Sequence, residues 1–386
     1  MSKHIVIARS KDEVLALRSD WESLCVEHPH ADLDFYLTVI DERPEAIRPH
    51  SVIAYEDEKP VGLLAARLEE ISLDTRFGYR IVYRPKVRAL TFVAGGSVAR
   101  SETAIALLIS SLDASLRAGE ADVAVFPSLQ RETPFFEALE KAAGRYRQQR
   151  FAEVRTHRRL TLPPTFDDFL KARSRKVRSG VRYDAKRLEA RASGELRIER
   201  LDSPGDFDRI FRDIVRIADQ TYQKGLGAGF GDTPERRTLT KLALDRGWFR
   251  AWLLYRGATP IAFWQGSVYG GVYHSGTTGY DPDYGRDRVG IYLLMQVIAQ
   301  LCQDPDVSIF DFGFGDAQYK RQFSDESWYE SDVAIFAPTI RAMRINVTRT
   351  AVLAAALGAR RALTALGLLD RLKTGWRKRL RTATPS

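Results

Sequence analysis

The sequence predicts a mixed α/β fold built twice, one α/β half following the other, with a basic helical segment at the C-terminal end. Three observations carry that prediction. The order hairpin, strand, helix, strand occurs once before residue 130 and again between residues 249 and 315. Each strand–helix–strand run has the pattern of a right-handed crossover joining parallel strands. The surplus of positive charge is confined to one end: Ala337–Ser386 holds eleven Lys/Arg and one acid, Asp370, against 48 basic and 49 acidic residues elsewhere. The expected divisions are residues 1–165, 166–336 and 337–386.

In the first half, SVIAYEDEKPVGLLAARL (51–68) reads as two apolar strands around a charged turn that ends in Pro60. RALTFVAGG is the next strand, SETAIALLISSLDASLRAG the crossover helix, and ADVAVFPSL the strand that follows. The second half repeats the order with FRAWLLYRGATPIAFWQGSVY (249–269), GVYHSGTTGYD, VGIYLLMQVIAQLCQ and VSIFDFGFG. In its helix Ile291, Leu294, Ile298 and Leu301 make one apolar face. The exits are also alike, YRQQRF (146–151) and YKRQF (319–323). Before the second half, Lys171–Arg191 is rich in Lys and Arg with few acids and reads as one basic helix. Beyond residue 337, Leu366, Leu369, Leu372, Trp376 and Leu380 share one helical face. Arg371, Lys373, Arg377, Lys378 and Arg381 lie mostly around the other side, the make-up of an interfacial helix drawn to an anionic membrane surface.

Composition narrows the function classes. A hydrophobic fraction of 44% and a charged fraction of 28% are those of a globular chain. The near-neutral body argues against a broad basic groove for nucleic acid. Cys25 and Cys302 are the only cysteines, too few for a disulfide framework and without metal-ligand spacing. The first residues lack the apolar run of a secretory signal and no stretch is long and apolar enough to span a bilayer, so a reducing cytoplasm is expected, with peripheral attachment to the inner face of the membrane. No Ser-His-Asp arrangement, zinc spacing or P-loop is evident.

The stretch GYDPDYGRDRVGIYLLMQVIAQ (279–300) places Arg286, Arg288 and Gly290 where a helix begins. A helix start offers unpaired backbone N–H groups and the positive end of the helix dipole, which suits an anion. An ordinary solvated loop with a packing glycine reads the same way.

Four stretches together resemble the GNAT-type acetyltransferases of bacterial cellulose and exopolysaccharide biosynthesis (the CelD/BcsL family), themselves related to Fem-type aminoacyl transferases. They are SRKVRSGVRYDAKRLEA, ATPIAFWQGSVYGGVYHSGTTGYDPDYGRDRVGIYLL, FDFGFGDAQYKRQF and a weaker DWESL, so the likeness is concentrated between Ser174 and Phe323. It implies two GNAT-like halves. It also implies transfer of an acyl group, acetyl in the simplest case, from acyl-CoA to an amine or hydroxyl of a sugar, glycolipid or surface-polysaccharide precursor. The pantetheine arm would lie between the strands Val272–Tyr280 and Val307–Gly313. Arg286 and Arg288, with the helix start Val289–Gly290–Ile291, would take the pyrophosphate. The usual loop of such enzymes is Q/R-x-x-G-x-G/A; here Asp287 and Tyr292 stand at its first and last positions.

The same resemblance makes Tyr319 a candidate acid for the leaving thiolate, with core packing as its other reading. Asp311, in the apolar stretch IFDFG, is either a base, a group that orients one, or a partner of Lys320 or the backbone. His274 either relays a proton or simply packs. Asp316 and Lys320 would shape the acceptor site, and Arg178 and Arg182 in the basic stretch would contact phosphate or sugar phosphate. Two further readings remain: a Fem-like transferase that uses charged tRNA, and a non-catalytic scaffold of a polysaccharide-synthesising complex.

Overall fold

The computed structural model describes residues 2–78, 80–201, 203–220 and 230–365. Along the chain the elements begin with β1 (Lys3–Ala8), α1 (Lys11–Ala16), α2 (Arg18–Ser23), α3 (Leu33–Glu42), β2 (Ala46–Glu56) and β3 (Lys59–Ser72). They continue with β4 (Thr75–Phe77), β5 (Arg80–Tyr83), β6 (Lys86–Ala99), α4 (Glu102–Arg117), β7 (Val123–Gln130), α5 (Pro134–Arg147) and β8 (Val154–Thr161). Next come α6 (Phe166–Lys171), α7 (Arg175–Ala192), β9 (Leu196–Leu201), α8 (Phe207–Gln220), α9 (Pro234–Asp245), β10 (Phe249–Arg256), β11 (Thr259–Tyr269) and β12 (Val272–Tyr280). The last are α10 (Val289–Leu301), β13 (Ile309–Phe314), α11 (Gln318–Phe323), β14 (Glu326–Phe336) and α12 (Ile340–Ala365).

Two compact units result. Among the described residues, the first comprises 2–25, 44–154 and 331–365, and the second 26–43 and 155–330. The expected boundary at 165/166 thus falls inside the second unit. Local pattern cannot show that a strand or a short segment leaves its sequence neighbours to pair elsewhere.

In unit 1 the sheet runs β1-β2-β3-β6-β7, with a two-residue turn between β2 and β3. The only parallel pair in that run, β6 with β7, has three rungs: Ala89↔Val123, Leu90↔Ala124 and Thr91↔Val125. The crossover helix α4 covers one face and buries Leu108, Leu112 and Leu116 in a core with Val52, Leu64, Leu90, Phe92 and Phe126. In unit 2 the sheet runs β8-β13-β12-β11-β10-β9. Its one parallel pair is β12 with β13, again with three rungs. Crossover helix α10 buries Leu293, Leu294, Val297, Ile298 and Leu301 against Trp252, Tyr273 and Phe310. A further core, around Phe211, Ile214, Phe230 and Phe263, lies under α8 and α9. The tandem order read from the sequence is the order observed, and the mixed α/β class holds in both units.

The basic stretch expected as one helix is two. Ser174 accepts from the Val177 N–H as the N-cap of α7, and Arg178 donates to the carbonyls of Lys171 (3.1 Å) and Arg173 (2.8 Å) at the end of α6. The amphipathic face Leu366–Leu380 lies outside the described residues.

Candidate functional site

Parallel pairing in unit 2 stops early. β12 and β13 are joined at Val272↔Ile309, Tyr273↔Phe310 and His274↔Asp311. Beyond that rung β12 stays with β11 as far as Tyr280↔Ala262, while β13 stays with β8 as far as Phe314↔His157. The two strands therefore part in a V at His274 and Asp311. A turn over Pro282–Asp287 leads from the wide end to the start of α10.

That start is formed by Arg288, in the left-handed region (φ 56°), and no side chain caps it. Around it, α7 supplies protein partners to the loop. Arg288 donates to Asp184 (2.7 Å), Arg187 donates to the Arg286 carbonyl (3.1 Å), and Arg191 pairs with Asp287. The acid at the unusual loop position is thus neutralised by Arg191. Tyr292, the other departure, turns to α7 and donates to Glu189 (3.1 Å); burial and that carboxylate push its hydroxyl up to about 12. Arg286 and Arg182 are exposed. Arg178 is occupied at the end of α6, as described above. Gly290 has a reason besides phosphate approach: a Cβ there would stand 3.2 Å from the Tyr280 ring, and one at Gly285 would stand 3.3 Å from it. Val289 is buried and Ile291 half-buried on the core side of the helix.

At the closed end of the V lies a buried charge cluster. Asp311, 4% exposed, accepts from His157 Nε2 (2.6 Å), Arg159 Nε (2.9 Å) and the Gly313 N–H (2.7 Å). The other nitrogen of His157 meets Glu330 at 2.8 Å, so one imidazole joins two carboxylates. Its ring stacks on Trp328 at 4.3 Å, and the Arg159 guanidinium covers the same indole at 4.8 Å. Burial works against charge on both partners. For His157 the hydrogen bonds to Asp311 and Glu330 outweigh it and raise the pKa above the ordinary histidine value. For Asp311, His157 and Arg159 outweigh it and hold the carboxyl well below the usual range. A carboxylate held so firmly is a weak base, which makes Asp311 a positioning group.

His274 sits 4.0 Å from Asp311 through Nδ1, while its Nε2 donates to the Glu27 carbonyl (3.2 Å). Burial lowers its pKa and so favours the neutral imidazole. His28 packs edge-on against it at 4.7 Å and accepts from the His30 N–H (3.2 Å); burial lowers it well below the ordinary value.

Lys320 is a further candidate base near the V. Its ammonium donates to the carbonyls of Phe312 and Phe314 (2.6 Å each), on the diverging part of β13, and burial lowers it to about 8. A neutral amine can give both N–H groups to those carbonyls and keep its lone pair. Tyr319 turns its ring edge-on to Trp264 and Phe312, centroids 6.0 and 6.3 Å away, against the core of unit 2. Asp316 is caught between Arg158 (3.0 Å) and Arg321 (2.9 Å).

Sequence reasoning missed His157, Arg159, Trp328, Glu330 and His28. The signal for the first two was the alternation Arg155-x-His157-x-Arg159, three basic side chains on one face of a strand. Glu330 and His28 carried none, since their place depends on which unit their segments join.

Residues 175–321 match the acetyltransferase (GNAT) domain family. No curated protein sequence matches the chain. Among solved structures, FemX superposes with a TM-score of 0.60 at 10% identity, covering 90% of this chain and 100% of that one. A tandem GNAT protein from the clavulanic acid biosynthesis pathway gives 0.52 at 11%, covering 88% and 99%. A conserved protein of unknown function from Bacteroides thetaiotaomicron gives 0.51 at 10%, covering 86% and 100%. At these identities the likeness is one of fold, a tandem GNAT architecture.

Proposed function

We propose that this protein is an acyltransferase whose second unit moves an acyl group, acetyl in the simplest case, from acyl-CoA to an amine or hydroxyl. The acceptor would be a sugar, a glycolipid or a surface-polysaccharide precursor, in keeping with the resemblance of its motifs to the acetyltransferases of cellulose and exopolysaccharide biosynthesis. The observation that carries the reading is the V between β12 and β13 with an uncapped helix N-terminus at its wide end. Strand edges freed by the V offer amide donors and acceptors for a pantetheine arm, and the N–H groups at Val289 and Gly290 suit its pyrophosphate. Unit 1 has the same three-rung pair, but its helix start is satisfied internally. There Ser101 accepts from the Ala104 N–H and donates to Glu56, and Glu102 adds negative charge to the first turn. The second unit is therefore the one suited to an anionic donor.

In this scheme Lys320 takes the proton from the acceptor as the new acyl bond forms, and returns it to the thiolate as the thioester breaks. His274 and Asp311 hold the narrow end of the V and shape where the thioester carbonyl rests. The basic side of α7 favours a second donor, charged tRNA, delivering its acyl group to the same place.

Titration calorimetry of the purified protein separates these readings. Acetyl-CoA should bind, and Gly290→Val should abolish binding by crowding Tyr280 and the helix start. Binding of charged tRNA with no heat from acetyl-CoA would overturn the acyl-CoA reading. Silence with both would leave a scaffold without catalysis.

A further inference from the structure

Among the described residues, fully buried side chains of α12 are confined to its first half. Ala342, Ile345, Asn346 and Arg349 are its buried residues, a spacing of three and four that marks one face. Asn346 donates to the carbonyls of Tyr146 and Gln148, and Arg349 to the carbonyl of Leu73 and the hydroxyl of Thr75. On the opposite side Ile340 is 81% and Val347 64% exposed, and with Met343 they line a shallow, open, mainly apolar groove. From Thr350 to Ala365 no residue is buried, although TAVLAAALGARRALTA is apolar apart from two threonines and two arginines. An apolar helical segment with no fully buried residue calls for a partner.

Charge says which partner. Between Ala337 and Ala365 there are five arginines and no acid, and residues 366–386 add six basic residues against Asp370. A second copy of α12 would bring arginine against arginine. The uncharged run 350–359 is too short to cross a bilayer, and no described helix is long and apolar enough to do so. A short apolar run beside acid-free basic turns matches the interface of an anionic membrane, with leucines among the acyl chains and arginines at the headgroups.

We infer that α12 docks the protein on an anionic lipid surface, through its exposed apolar face and Arg344, Arg360 and Arg361. The inference concerns unit 1 alone and is independent of the acyl-transfer reading. Its test is co-sedimentation of the full chain with vesicles of phosphatidylcholine alone or with about a third phosphatidylglycerol. The protein should pellet with the anionic vesicles and be released as salt is raised. Arg360→Glu/Arg361→Glu should weaken binding at least about twentyfold, at about fivefold per basic residue lost from the surface. Leu353→Ser/Leu357→Ser should weaken it by about tenfold or more, and none of the four side chains is itself buried. Three results would overturn the inference: no binding to anionic vesicles at low salt, unchanged binding by both variants, or loss of binding only when residues 366–386 are deleted. Light scattering that finds a dimer dissolved by the leucine pair would reassign the face to a second copy, and overturn it equally.

Discussion

Replacing His157 by Gln probes the buried cluster most directly. The imidazole bonds Asp311 at 2.6 Å and Glu330 at 2.8 Å, and both carboxylates are almost wholly buried. Glutamine is neutral and can reach one of them at most. Asp311 would keep Arg159 and the Gly313 N–H, while Glu330, whose nearest cation is Arg155 at 4.0 Å, would be left poorly compensated. Breaking a buried pair from one side costs about 3–5 kcal/mol. At ~2–4 °C per kcal/mol for a unit of this size, the melting midpoint should fall by roughly 10 °C. The loss should depend on pH in a definite sense. Because the folded-state pKa of His157 is raised, its protonated form stabilises the fold fully below the unfolded value of about 6.5, and that contribution fades as pH rises through the folded value. Asp311 is depressed, so its contribution is complete above about 3.9 and is lost as pH falls further. Calorimetric melts at pH 5.5 and pH 9 should therefore show a wide gap between wild type and variant at the first and a narrower one at the second. The residue of the gap at pH 9 is the pH-independent stacking on Trp328. A gap that is equal at both pH values, or wider at pH 9, would refute the charged-imidazole account.

Other expectations concern turnover and the donor. Lys320→Met should lower acyl transfer by ~10²-fold or more, and Lys320→Arg should do the same, because a guanidinium does not lose its proton. In the wild type the rate should climb through a midpoint near 8 as Lys320 becomes neutral, and full activity in the Arg variant would place the base elsewhere. Tyr319→Phe keeps the packing against Trp264 and Phe312 and should cost less than about tenfold; a ~10²-fold loss at unchanged acetyl-CoA affinity would restore it as the acid for the thiolate. Arg191→Ala exposes the charge of Asp287 beside the helix start, and calorimetry should show acetyl-CoA binding weakened by roughly 1–3 kcal/mol. Unchanged affinity would mean that the pyrophosphate sits away from this loop.

The primary structure by itself determined the element order and the crossovers. Alternation in a strand and the 3.6-residue period of a helix are local properties, so the paired hairpins and the helices α4 and α10 were legible, as was the start of α10 at Val289. Serine as a helix cap is also local, yet the break at Ser174 went unread because the surrounding basic residues keep one helical character throughout. What only the tertiary structure decided is who meets whom. Asp184 and Arg191 are remote in sequence from Arg288 and Asp287, and their pairing turned a loop read as two free arginines and a misplaced acid into a neutralised network. His157 and Asp311 are 154 positions apart, and they meet because β8 pairs with β13, away from the strands that precede it in sequence. A charge acquires its pKa from burial and neighbours, and strand pairing over such distances is set by the closure of the whole sheet, which no local pattern encodes.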